Sequence, residues 1–304
     1  MYNPSAYRFK RKGGALVERA AGILRERGHN VTLAQTTGPR MAGDLARGHI
    51  ERGADLVVAA GGDGTINEVV EGMVHSRVPL AILPGGTANV LAMEMKLGSN
   101  LERVALRLDE LQPRRISVGH VTCDGARTSR HFLLMAGIGL DAHIVYHVHG
   151  GLKAWAGKLA YWVASWSVLG RRLAQLQVEL DGTRRQCSFA LLSKVRNYGG
   201  NFEIARHVSL FDNQFEAVLF EGRSTAPFVK YFIGMALKQL DGMKGVTTLR
   251  ADCVKLYCLD NSRAYIQVDG EYAGRLPAEI RIVPDALTLL VPSGYGNGFQ
   301  TPQQ

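Results

Sequence analysis

A chain of 304 residues with 46% hydrophobic and 21% charged residues can build about two ordinary globular cores, which excludes a disordered or low-complexity protein. Its four cysteines, Cys123, Cys187, Cys253 and Cys258, are scattered and form no CxxC pair, which excludes a disulfide scaffold and a cysteine-based zinc site. The net charge of +9 favours polyanionic partners without choosing among nucleic acid, anionic membrane and phosphorylated ligands.

The N-terminus is basic at Arg8, Lys10, Arg11 and Lys12, but no apolar core of a secretory signal follows. "GALVERAAGILRERG" has helical spacing and ends at Gly28. "HNVTLAQTT" reads as a strand and "RMAGDLARGHIERG" as a second helix. "DLVVAA" is a strand leading to the helix "TINEVVEGMVHS", and "VPLAIL" is a strand leading to the helix "ANVLAMEMKLG". Strands alternating with helices predict a parallel sheet covered on both faces. The helix "NLERVALRLDEL" then leads to "QPRR", which places a boundary near residue 115.

From there to residue 304 the texture is β-rich, with a sandwich-like α+β domain expected over 116–304. Nine runs read as strands: "RISVGHVTC", "RHFLLMAG", "AQLQVELDG", "RQCSFALLSKV", "QFEAVLFEG", "DCVKLYCLD", "AYIQVDG", "EIRIVPD" and "ALTLLVP". The last of them is allowed to return to the α/β domain of residues 1–115. Within this half, Leu152, Trp155, Leu159, Trp162, Trp166 and Leu169 form one apolar stripe at helical spacing. Two readings stay open for it: a core helix on the sheet, or an acyl-chain or membrane-facing surface with Lys153, Lys158, Arg171 and Arg172 at its flanks. The longest apolar stretch, "LAYWVASWSVLG", is too short to span a bilayer. The lysines and arginines are dispersed and match no nucleic-acid motif.

The chemistry is concentrated in two glycine turns. In "DLVVAAGGDGTINEVVEGM", Gly61, Gly62 and Gly64 leave bare backbone between a strand and a helix, where first-turn N–H groups and a partial positive charge accept phosphate. Asp63 adds a carboxylate that could meet Mg²⁺, and Thr65 a cap or donor. "LAILPGGTANVLA" repeats the design with Gly85, Gly86, Thr87 and Asn89. The pair suits one polyphosphate, yet no GK[ST] follows as in a P-loop, and Asn67 stands where a dinucleotide fingerprint needs glycine. "VDGE" by itself reads as a hairpin turn at Asp269-Gly270.

Taken together, "YNPSA", "GGDGTINEVVEGM", "LPGGTANVLA", "AGIGLDA" and "VDGE" resemble the diacylglycerol kinase catalytic family, which includes bacterial lipid kinases and sphingosine kinases. The resemblance runs from Asn3 to about Pro292. It implies ATP-dependent, Mg²⁺-assisted phosphorylation of a lipid hydroxyl, with nucleotide bound by the α/β domain and lipid by the β-rich one. Carried over by motif, the nucleotide contacts are Asn3, Pro4, Ser5, Thr36, Gly61, Gly62, Asp63, Gly64, Thr65, Asn67, Glu68, Gly85, Gly86, Thr87 and Asn89. Glu271 is implied as proton acceptor, with Asp269 in the same motif and Asp63 in the Mg²⁺–phosphate network; sphingosine kinase-like members give the proton-acceptor role to the aspartate of GGDGT, here Asp63, instead.

A structural Mg²⁺ loop found in some relatives reads "SLFDNQF" here, keeping Asp212 but with Ser209 for a lysine and Asn213 for a glycine. Val90 and Ser117 stand where some relatives carry acids, and only Met1 and Tyr2 precede the motif where a full strand is expected. The expected setting is cytoplasmic and peripheral to a membrane, with a homodimer allowed. A soluble NAD kinase-like enzyme and a non-catalytic nucleotide- or lipid-binding member remain as alternatives.

Overall fold

The computed structural model describes residues 1–12, 14–123, 128–139, 173–199, 202–224, 226–237, 239–260 and 263–296. The tryptophan-rich segment therefore lies outside the described residues, as do Leu140–Ala142 of the "AGIGLDA" motif. The chain divides into two compact units. The first joins Met1–Val118 to Pro284–Gly298, and the second has Gly119–Val283 as its body.

In the first unit, two short apolar runs make β1 (Val57–Gly61) and β2 (Leu80–Pro84). They pair in parallel, from Val57 opposite Leu80 to Gly61 opposite Pro84. Nearly every residue of both is buried, as expected for a parallel sheet covered on two sides. The end of the last strand joins in parallel with Leu289 opposite Leu80. One face carries Ala60, Ala81 and Leu83, packed under Phe9, Leu16, Val17, Ala20, Leu24, Leu101 and Val104. Those side chains come from α1 (Tyr7–Lys12), α2 (Ala15–Glu26) and, beyond the sheet strands in sequence, the helix Leu101–Leu106. The helical spacing predicted for 14–28 holds, and Gly28 ends α2 with a φ of +93°.

Behind this, α3 (Ala42–Glu51) packs on α4 (Asp63–Met73), the helix that leaves β1. Their approach is set by two glycines, since a Cβ on Gly72 would stand 2.0 Å from the Gly43 carbonyl oxygen. The helix read from "ANVLAMEMKLG" is a short one, α5 (Val90–Glu94), and Leu101–Leu106 is α6. "HNVTLAQTT" does not form a regular strand. Gln35 alone bridges Tyr2, and Tyr2 in turn bridges Ala60.

The second unit contains two antiparallel arrays. One has the order β12 (Val246–Ala251), β11 (Phe215–Phe220), β8 (Phe189–Ser193), β5 (Met135–Gly139), β14 (Tyr265–Val268) and β15 (Glu271–Arg275). The other runs from the first part of β16 (Ala278–Pro292) through β13 (Cys253–Cys258) and β6 (Leu176–Leu180) to β7 (Thr183–Cys187). In addition, β3 (Leu111–Cys123) pairs with β16 and with β4 (Thr128–Phe132). A small pair, β9 (Asn197–Gly199) with β10 (Phe202–Glu203), stands apart. Val121, Phe132, Val178, Val254 and Ile280 from one array share a core with Ile138, Leu192, Phe215, Leu219 and Ile266 from the other. This is the sandwich the alternating runs implied.

Several strand readings needed correction. "RHFLLMAG" is two strands, β4 and β5, broken at Leu133–Leu134, and "RQCSFALLSKV" is β7 and β8, broken at Ser188. Each apolar run crosses from one array to the other, a change that leaves no trace in period-two alternation. Conversely, "EIRIVPD" and "ALTLLVP" are one strand, β16, that passes through Asp285 at a φ of +48°. Arg115 holds that residue from the side, its Nε 2.8 Å from Asp285 Oδ1. "VTTLRA" and "EYAGR" are strands that the sequence reading passed over.

Candidate active site

In the first unit, the glycine turns sit at the ends of neighbouring parallel strands, since Gly61 and Pro84 are register partners. The Gly85 N–H donates to the Gly61 carbonyl at 2.8 Å, joining the turns directly. A Cβ on Gly86 would stand 2.5 Å from Gly62 Cα, and one on Gly62 would stand 3.2 Å from Gly86 Cα. A Cβ on Gly85 would meet the Phe9 ring at 2.6 Å, and one on Gly61 the Thr65 side chain at 2.7 Å. Gly86 is thus required by the packing of one turn on the other, and Gly61 and Gly85 by the side chains of Thr65 and Phe9, whatever ligand the turns hold.

The polar residues of the motif knit this construction. Gly62 is the N-cap of α4, so α4 starts at the turn and its first N–H groups lack intrahelical partners. Thr65 is buried and its Oγ1 accepts from Asn3 Nδ2 at 3.2 Å, while Asn3 Oδ1 accepts the Ser5 N–H at 2.9 Å. Pro4 lies in that same turn. Asp63 does not cap its own helix at a distance from the second turn. Its Oδ1 accepts from the Leu91 N–H at 3.4 Å, at the start of α5. Burial pushes its carboxyl above the ordinary aspartate range, and the N–H groups of Leu91, Val90 and Asn89 oppose that shift.

In the second turn, Asn89 adopts a φ of +49° and its side chain closes a ring with Gly86. The Gly86 N–H donates to Asn89 Oδ1 at 2.8 Å, and Asn89 Nδ2 donates to the Gly86 carbonyl at 2.9 Å. Thr87 lies exposed at the tip. Gly64 lies in the first turn of α4, and Asn67 is buried one turn on. Glu68 points elsewhere: its Oε2 accepts the Ala42 N–H at 3.3 Å and so caps α3. Thr36 is buried and joined to Tyr2 through its own N–H at 2.9 Å.

In the second unit, Asp269-Gly270 is the two-residue turn between β14 and β15, with φ values of +48° and +81°. The aspartate does more than turn. Its carboxylate accepts three backbone N–H groups, from Leu133 at 2.8 Å and from Leu134 and Met135 at 2.9 Å each. Such a carboxylate is a clamp for the β4–β5 break. Glu271, the first residue of β15, is 42% exposed in its side chain and pairs with Arg130 Nη2 at 2.9 Å. Arg130 was missed because a basic residue at the head of a strand-like run carries no local signal of a partner 141 positions on.

A divalent cation was tested against these residues. Among the described residues no three His, Cys, Asp or Glu side chains are grouped as a preformed metal site. Asp63 is occupied by peptide N–H groups and Asp212 by Ser209 N–H and Arg250. Neither is a ready-made Mg²⁺ cage. Ser117 and Val90 are both buried.

Comparison with known proteins decides the family. Residues 1–121 match the model of the diacylglycerol kinase catalytic domain, and residues 135–291 match that of the YegS C-terminal NAD kinase beta sandwich-like domain. Diacylglycerol kinase of Bacillus subtilis is 30% identical over 290 residues, covering 92% of this chain and 91% of its own. This chain belongs to the diacylglycerol kinase catalytic-domain family. The diacylglycerol kinase of Mycobacterium tuberculosis is 26% identical over 288 residues, again with 92% and 91% covered. A solved structure of a diacylglycerol kinase from Bacillus anthracis shares the fold, with a TM-score of 0.75, 19% identity and 96% of each chain covered. The kinase-domain match ends within β3 and the sandwich match begins at β5, so the glycine turns and the sandwich hairpin fall in separate modules of the family.

Proposed function

We propose that this protein is a kinase that transfers the γ-phosphate of ATP to the hydroxyl of a membrane lipid such as a diacylglycerol or a sphingoid base. The observation that carries the reading is the backbone-to-backbone packing of Gly62 on Gly86 at the ends of parallel strands. It turns two helix-starting turns into one surface of backbone, beside the N-terminus of an 11-residue helix, which is the environment a polyphosphate needs.

In this reading the first unit binds and orients the triphosphate through Gly62, Asp63, Gly64 and Thr87, with Asn3, Pro4 and Ser5 flanking. Asp63 shapes the second turn through Leu91. Mg²⁺, if bound with the nucleotide, would supply charge neutralisation at the phosphates, with Asp63 nearest the first turn to meet it. Glu271 takes the proton of the lipid hydroxyl as its oxygen forms the bond to γ-phosphorus and ADP leaves. Its exposed position suits a base that must reach a substrate, and Arg130 fixes its orientation. Asp269 positions the hairpin. The net charge of +9 suits work at an anionic bilayer, and no helix among the described residues is long and apolar enough to cross one.

The test is transfer of labelled γ-phosphate to lipids in mixed micelles, with diacylglycerol, phosphatidylglycerol, sphingosine and ceramide offered separately and products identified by mass. A phosphorylated lipid that disappears with Glu271→Gln supports the reading. No product on any lipid, with tight ATP binding by calorimetry, turns it into the non-catalytic alternative that the buried Val90 and Ser117 would favour. Phosphorylation of NAD in a parallel assay would replace it with the NAD kinase-like one.

A further inference from the structure

Within the second unit lies a buried lysine for which the kinase chemistry has no use. Lys194 directly follows β8 and its side chain is 0% exposed. Its backbone N–H donates to the Leu134 carbonyl at 2.8 Å, and its Nζ donates to the Asp212 carbonyl at 2.8 Å. The loop that supplies this carbonyl is Ser209–Gln214, the one in which the family resemblance placed a Mg²⁺ ligand at Asp212. The loop is closed on itself. Asp212 N–H donates to the Ser209 carbonyl at 3.1 Å, Ser209 N–H donates to Asp212 Oδ2 at 3.0 Å, and Arg250 Nη2 sits 3.3 Å from that oxygen.

We propose that the Lys194 amino group replaces the metal in this loop, so that the chain carries its own cation where the resemblance implied a bound Mg²⁺. The argument is one of charge and donors. A buried amino group has only donors to offer and must meet oxygen acceptors or impose a large desolvation cost. The carbonyl of Asp212 meets that need here, and the Asp212 carboxylate is shared with Arg250. A divalent ion brought to the same oxygens would face two basic side chains already in contact with Asp212, in surroundings where like charges repel strongly. This inference is independent of the kinase reading, and none of its readouts is activity.

The experiment uses the whole chain. Thermal midpoint and amide exchange across 209–215 are compared for wild type and Asp212→Asn, in EDTA and then in millimolar Mg²⁺ or Mn²⁺ at matched ionic strength. The expected result is loop protection that is the same with and without metal, and any metal effect on the midpoint equal in both proteins. Loop protection that rises with metal in wild type but not in Asp212→Asn overturns the proposal. The positive arm is Lys194→Met, which keeps the apolar stem. Loss of a hydrogen bond to a charged donor predicts exchange across the loop faster by about 10- to 100-fold. Wild-type loop protection in Lys194→Met also overturns the proposal. Should Lys194→Met give no folded protein, the comparison of wild type with Asp212→Asn decides alone.

Discussion

Gly86 stands so close to Gly62 that a single methyl group on either would press into the other's backbone, at 2.5 Å from one side and 3.2 Å from the other. The asymmetry makes a prediction. Gly86→Ala must displace a main chain, whereas Gly62→Ala needs its neighbour to yield only a few tenths of an ångström. Gly86→Ala is therefore expected to lower stability by about 1–3 kcal/mol, as overpacking does, and Gly62→Ala by less. Both should weaken ATP binding, and Thr87→Ala, at an exposed tip, should leave stability unchanged. Thermal melts beside nucleotide titrations separate the packing effect from the binding effect.

The two acids of "VDGE" are expected to fail in different ways. Glu271→Gln keeps the fold and should reduce kcat by about 100- to 10,000-fold, the usual contribution of a general base. Asp269→Ala strips the acceptor from three N–H groups and should destabilise the protein by about 3 kcal/mol or more, with activity lost through the fold. Denaturant unfolding of both variants is the check. Equal stability losses would mean that Asp269 is not the clamp the geometry makes it.

Arg130 is expected to act on rate and not on stability. Its ion pair with Glu271 is partly exposed, at 21% and 42% of the two side chains, and pairs of that kind contribute about 1 kcal/mol or less. Arg130→Met should lower kcat with little change in the KM for ATP, because it loosens the acid without touching the glycine turns. A change confined to KM for ATP would count against this role.

Asp63 yields a pH prediction. Burial raises its carboxyl above the ordinary value of 3.8, so the folded chain binds this proton more tightly than the unfolded chain does. As pH falls through the folded-state value toward the ordinary one, wild type should gain stability relative to Asp63→Asn, and outside that window the difference should be flat. Asparagine can still accept the Leu91 N–H. Urea midpoints of the two proteins across acid pH measure the difference, and a wild type that loses ground to Asp63→Asn in that window would reverse the assignment.

What a reader could take from the amino acids was local. The bare-backbone run Gly61–Gly62–Asp63–Gly64 announces a strand that stops and a helix that starts, because glycine frees the turn and an acid suits a first helical turn. Asp269-Gly270 announces a hairpin, and both residues take the positive φ that such a turn demands. The apolar runs announce buried strands. None of these patterns says which residue lies opposite. That is why the split of "RHFLLMAG" was not legible: the break is made by a carboxylate 135 positions away from Leu134.

Tertiary structure alone decided the partners. It put Gly62 against Gly86, turned Asp63 onto Leu91, sent Glu68 to cap a different helix, set Arg130 beside Glu271 and brought Lys194 to the Asp212 carbonyl. Sequence encodes φ preferences and the period of burial over a few residues, and so it determined the turns, the helices and the two-part layout. A side chain's hydrogen-bond partner depends on where distant segments come to rest in the packed fold, and only the folded chain contains that.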